Sequence, residues 1–175
     1  MRKKYAKDID AQTTSLLRKL DLFNVPVNVQ AVAERLGAKV VFDELDDDVS
    51  GFLLREKSIA TIAVNSQHHP NRQRFTVAHE CGHLALHAGK GDGLWVDKAY
   101  APILFRDSTS STGDQLAEIQ ANQFAAGLLM PEQLLREHVT NNLNDLDISR
   151  LAMRFRVSEQ AMTLRLVSLD LLEPA

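Results

Sequence analysis

Arg72-Gln73-Arg74-Phe75-Thr76-Val77-Ala78-His79-Glu80-Cys81-Gly82-His83-Leu84-Ala85-Leu86-His87 is the stretch whose reading decides this chain. It follows Pro70, a residue suited to the first position of a helix, and the pattern to about His87 is helical. Inside it stands H-E-x-x-H. Helical positions four apart differ by only about 40° in direction, so His79 and His83 project side by side. Two imidazoles so placed can both point a nitrogen at one Zn²⁺ about 2 Å away. Glu80 lies about 100° round from His79, too far to be the natural third ligand. It can still reach a water beside the ion; zinc acidifies such a water toward about pH 7, and a carboxylate can take its proton as it attacks a carbonyl. Cys81 points roughly opposite, toward a core, and reads as a small buried residue. Taken as bare surface groups, the histidines would need no explanation. The apolar approach Phe75, Val77, Ala78 speaks against that, because polar side chains on a buried stripe need a partner.

A catalytic zinc site needs a third protein ligand and an open position. His87 continues the four-residue series, but another turn carries it about 5.4 Å along the axis from His83, too far for one ion to bridge all three. Glu118 is the better candidate. It shares a helical face with Asn122, while Ala121, Phe124 and Leu128 form the opposing apolar stripe. Asn122 could hydrogen-bond the other nitrogen of a ligand histidine and fix its tautomer. Taken alone, Glu118 reads more readily as a solvated surface carboxylate.

Working outward, residues 8–20 carry Ile9, Leu16, Leu17 and Leu20 at helical spacing, with Pro26 as the expected break. A short helix through Ala31, Val32 and Leu36 follows, with Asn28 as N-cap and Gly37 as stop. Residues 39–42, 51–54 and 59–64 are β-type runs separated by charged turns, which predicts a small three-stranded antiparallel sheet. Residues 89–113 lack regular pattern, and so long a connection is often a binding loop or lid. Four helices are expected after it, over 114–129, 131–140, 147–155 and 158–168.

Together these stretches resemble the ImmA/IrrE family of zinc metallopeptidases. The residues that carry the resemblance are Pro26-Val27-Asn28-Val29, Ser50-Gly51-Phe52, Ile62-Ala63-Val64-Asn65, the run from Arg72 to His83, Glu118-Ile119-Gln120-Ala121-Asn122-Gln123-Phe124-Ala125-Ala126 and Leu128-Leu129-Met130-Pro131. The resemblance implies an α+β, mainly helical, zincin-like fold. It implies one Zn²⁺ per chain at His79, His83 and Glu118, with Glu80 as general base, and cleavage of a helix-turn-helix repressor of the XRE type in a mobile element or stress response. Many relatives carry a second acid where Gln120 stands, so Glu118 is the only acid in this motif. The expected division is a peptidase domain over 1–140 and a helix-turn-helix-like segment over 141–175 packed on it, with no room for a further repressor-like or sensor domain.

That C-terminal segment has Val157-Ser158 as its turn and Ser158 as the cap of its second helix. From residue 146 onward Arg150, Arg154, Arg156 and Arg165 are balanced by Asp147, Glu159, Asp170 and Glu173, whereas phosphate-driven DNA binding wants a positive excess. Packing or substrate docking is therefore the expected role, and direct DNA binding is not. The loop 89–113, with Trp95, Tyr100, Phe105 and Arg106, is expected to border the cleft. Tyr100, His68 and His138 remain open alternatives for stabilising an oxyanion.

Apolar residues make up 45% of the 175 and charged residues 25%, a balance that can bury a core without disulfides. With Cys81 the only cysteine, no internal bridge can form, which fits a reducing compartment. No signal peptide and no membrane-spanning apolar run stand in the sequence, and a net charge of −3 gives no general affinity for nucleic acid. A cytoplasmic location is expected. The competing function is a metal-binding regulator that sequesters a repressor or a toxin–antitoxin partner without cutting it.

Overall fold

The structure, a computed structural model, describes residues 2–56, 59–87, 93–98, 113–139 and 143–173. Helix α1 (Arg2–Lys19) opens the fold and sets Ile9, Thr13 and Leu17 into the core at four-residue spacing. It stops well before Pro26. Asp21 adopts a left-handed φ of 58°, and the Leu22 amide returns to the Leu17 carbonyl at 2.9 Å, closing the last turn. Helix α2 (Val29–Arg35) is capped by Asn28, whose Oδ1 accepts from the Ala31 amide at 3.1 Å, and Gly37 at φ +85° turns the chain out of it.

Strands β1 (Ala38–Asp43), β2 (Val49–Glu56), β3 (Ile59–Asn65) and β4 (Gly93–Lys98) form one sheet in the order β1-β3-β2-β4. The α+β, mainly helical class stands, but the sheet is not the three-stranded antiparallel one expected. β1 runs parallel to β3, β2 is antiparallel to both β3 and β4, and the fourth strand comes from the stretch read as irregular. The parallel pair arises because the chain passes from β1 to the far side of β3 before β2 begins. Asn65, fully buried at the end of β3, holds that crossing: its Nδ2 donates toward the carbonyls of Leu45, Asp46 and Val49 at 3.3, 3.3 and 3.0 Å.

Helix α3 (Pro70–Leu86) lies across the sheet, with Pro70 at its first position as expected. A methyl on Gly51 of β2 would stand 2.5 Å from the Ala63 carbonyl oxygen and 2.6 Å from Cγ2 of Thr76, so the missing side chain lets α3 settle on the sheet. Helix α4 (Gly113–Leu129) packs along α3 on one side and α1 on the other. The short α5 (Glu132–Arg136) follows, and then α6 (Asp145–Phe155) and α7 (Glu159–Ser168). Arg156 in the left-handed region (φ 55°) turns between these last two, and Ser158 caps α7 through the Ala161 amide at 3.1 Å. Leu17, Val32, Leu53, Ile62, Val77, Phe124, Phe155 and Met162 belong to one buried cluster, so α6 and α7 share the core that backs α3 and α4. No helix among the described residues is long and apolar enough to cross a membrane.

Candidate metal centre

α3 carries His79, Glu80 and His83 through its middle turns, all three nearly or wholly shielded from solvent. The opposing surface is α4, and Gly82 sets how near it comes. A Cβ there would stand 3.0 Å from Ala121 Cα and 3.1 Å from Phe124 Cβ, so the two backbones almost touch. This close crossing brings Glu118 and Asn122, one turn apart on α4, up to the histidines. The sequence singled out both acid and amide but not the glycine that lets them arrive; only its neighbour's identity, some forty positions away, gives it meaning.

His79 Nε2 and His83 Nε2 lie 3.0 Å apart, and Glu118 offers Oε2 to the first at 3.3 Å and Oε1 to the second at 3.1 Å. The three donor atoms fall within 4.8 Å of one another, and His87 is not part of the group. Two imidazole nitrogens facing each other can share at most one proton, so protons alone satisfy this arrangement poorly. An ion satisfies it well. A tetrahedral ion with ligands at about 2.0–2.1 Å has neighbouring donors about 3.3–3.4 Å apart, close to the separations seen. Glu118 is 42% exposed whereas His79 and His83 are 2% and 3% exposed, so the cluster is closed toward the core and open on the carboxylate side.

The surroundings are consistent with that use. His79 Nδ1 lies 3.1 Å from Asn122 Oδ1; with Nδ1 protonated it donates there and Nε2 keeps its lone pair for an ion. Partial burial alone would raise the Glu118 pKa. The hydrogen bonds from His79 and His83, reinforced by their charge, outweigh it and hold the carboxyl below the usual carboxylate range. Glu80 is fully buried one residue after His79. Cys81 is buried on the core side as expected, and burial pushes its thiol pKa up, with the Glu80 charge adding to the effect. His87 caps the end of α3 with its ring 5.8 Å from that of His83; burial, then the His83 charge, lowers its pKa.

Of the three oxyanion candidates, Tyr100 lies outside the described residues. His68 is half-buried in the turn before α3, and its carbonyl accepts from Gln73 Nε2 at 2.9 Å. His138 donates from Nδ1 to the Leu134 carbonyl at 2.7 Å and sets its ring edge-on to Phe155, a packing role at the end of α5. Neither belongs to the donor group.

The family model described as the IrrE N-terminal-like domain, Peptidase_M78, matches residues 33–167. The radiation response metalloprotease IrrE of Deinococcus deserti is 39% identical over 79 residues, which cover 45% of this chain and 25% of that protein. The uncharacterized immunity region protein 2 of Bacillus phage phi105 is 26% identical over 111 residues, 63% of each chain. A solved structure of a Mycobacterium tuberculosis transcriptional regulator superposes with a TM-score of 0.60 over 95% of this chain and 48% of that one; at 21% identity this likeness concerns the fold alone. The chain thus spans less than two thirds of the length of each of these proteins.

Proposed function

The chain belongs to the IrrE N-terminal-like peptidase family, and from that premise we propose that it is a zinc-dependent endopeptidase that cuts a helix-turn-helix repressor of the XRE type. One observation carries the enzyme reading: two histidine nitrogens and a carboxylate from a different helix converge within 4.8 Å beside a buried glutamate. A purely structural zinc site is usually closed by four protein ligands, whereas this set has three among the described residues and an open side.

In this reading His79, His83 and Glu118 hold the ion and Asn122 fixes the His79 tautomer. When bound, zinc supplies Lewis-acid polarisation of a peptide carbonyl and acidification of a water. Glu80 takes the proton from the attacking water and delivers it to the departing amide nitrogen, a general acid–base role worth roughly 10²–10⁴-fold in rate.

The substrate is supported by the relatives, one a radiation response metalloprotease and one a phage immunity region protein. A repressor as substrate requires the reaction to occur in the cytoplasm. Residues 1–140 then act as the peptidase unit, and the α6–α7 pair within 141–175 as a docking element for the substrate rather than a DNA reader.

The test is direct. Zinc-loaded protein is incubated with the repressor encoded beside its gene. Wild type yields two fragments, while Glu80→Gln yields none yet binds zinc as tightly in a chelator competition. A repressor left whole by wild type, or cut equally by Glu80→Gln, refutes the reading; a stable uncut complex insensitive to Glu80 would point to sequestration instead.

A further inference from the structure

A second polar cluster lies at the other end of α3. Residues Pro26–Gln30 at the start of α2, the first turns of α3 and the α6–α7 turn enclose a cavity of about 420 Å³. That volume is within the range of small-molecule sites, about 300–1,000 Å³. Phe42, 44% exposed, gives it an apolar wall. Among the described residues its charged members are Arg74 and Arg156, and no aspartate or glutamate lines it.

Some other guanidinium groups are matched by acids. Arg165 meets Asp10 at 2.8 Å, and Arg136 meets Glu132 at 2.7 Å. Arg74 is treated differently. Its NH2 donates to the Val27 carbonyl at 3.0 Å and its Nε to the Arg156 carbonyl at 3.2 Å, so neutral oxygens hold it in place without balancing its charge. Among the described residues neither Arg74 nor Arg156 has a carboxylate within ion-pair distance. Burial, and then the nearby Arg156 charge, depress the Arg74 pKa to about 10. Asn28 adds a donor: its Oδ1 is occupied as the α2 cap, which leaves the amide NH₂ for a ligand.

We propose that this cavity binds the phosphate group of a small organic molecule, with Arg74 and Arg156 gripping the oxyanion and the Phe42 ring receiving the apolar remainder. The guanidinium fork matches phosphate oxygens in pairs. Two uncompensated positive charges favour a phosphate monoester, at about −1.5 to −2, over a carboxylate, which would neutralise only one. The site is separate from the metal centre and does not depend on peptidase activity.

The experiment uses metal-free protein, so that phosphate cannot report through a bound ion. Melting temperature and calorimetry follow titration with inorganic phosphate and with phenyl phosphate at constant ionic strength against chloride. Both probes are expected to bind saturably, phenyl phosphate the more tightly. Arg156→Asn keeps a residue tolerant of the left-handed φ of 55° and is expected to weaken both at least about tenfold. Arg156→Lys loses less, and Arg150→Asn, on the exposed face of α6, loses nothing. Absence of saturable binding to wild type, or unchanged binding by Arg156→Asn at an unchanged melting temperature, overturns the site. Equal affinity for the two probes overturns its organic half.

Discussion

His79 Nδ1 and Asn122 Oδ1 lie 3.1 Å apart, a hydrogen bond that reaches from α3 to α4 and fixes which ring nitrogen faces the donor cluster. Without that acceptor the neutral ring is free to place its proton on Nε2, where it blocks coordination. Asn122→Ala should therefore lower zinc affinity by about 10–100-fold with little change in melting temperature of the metal-free protein. Asn122→Asp, which keeps the acceptor, should retain most of it. Competition with a chromophoric chelator reads both; equal affinity in the alanine variant would remove Asn122 from the site.

Gly82→Ala tests the α3–α4 crossing. In an isolated helix alanine is favoured over glycine by about 1 kcal/mol. Here the added methyl meets Ala121 Cα at 3.0 Å and Phe124 Cβ at 3.1 Å, and backbone atoms cannot swing aside as a side-chain end can. Overpacking of this kind costs about 1–3 kcal/mol, so the net effect should be destabilising by roughly 1 kcal/mol. Because Glu118 rides on the displaced helix, zinc affinity should fall as well. Urea melts of the metal-free protein and a chelator titration separate the two effects; a stabilised variant would show that the helices can part freely.

What could be read from the sequence was local. His79 and His83 are four residues apart on one helix, so their convergence follows from helical geometry alone, and Asn28, Pro70 and Ser158 act as helix-start residues for reasons contained within three or four positions. β4 escaped because Gly93–Lys98 gains its strand character from pairing with β2 rather than from an alternating pattern of its own. The parallel β1–β3 pair escaped because it depends on Asn65 gathering the carbonyls of Leu45, Asp46 and Val49, a contact between polar residues that no periodicity announces. Glu118 lay between these cases. Its helix was legible, but a lone acid on a polar face is indistinguishable from a surface charge until the partner helix is in place.

Cys81 should be inert to thiol reagents in the folded protein. It is wholly buried on the face of α3 turned from the metal cluster, and burial, with the adjacent Glu80 charge, raises its pKa, so almost no thiolate exists to react. A disulfide reagent at pH 8 is expected to give no colour until denaturant is added, then one equivalent per chain. Prompt reaction of the native protein would mean that Cys81 turns toward the cleft.

Arg165 is one of the four arginines of the C-terminal segment, and its structural setting assigns it work other than reading DNA. It is 6% exposed, and its guanidinium donates to both carboxylate oxygens of Asp10 on α1, at 2.8 and 3.1 Å, and to the Met130 carbonyl at 3.1 Å. One side chain thus ties α7 to the first helix and to the end of α4. Removing it leaves Asp10 half-enclosed without its counter-charge, and breaking a buried pair of this type costs about 3–5 kcal/mol. Arg165→Met should therefore lower the urea midpoint sharply, and Asp10→Asn combined with it should recover part of the loss, because the stranded charge is gone. If α7 instead read DNA, Arg165→Met would leave stability unchanged and weaken a salt-sensitive retardation of promoter fragments. The geometry of Arg165 requires the opposite: a large stability loss.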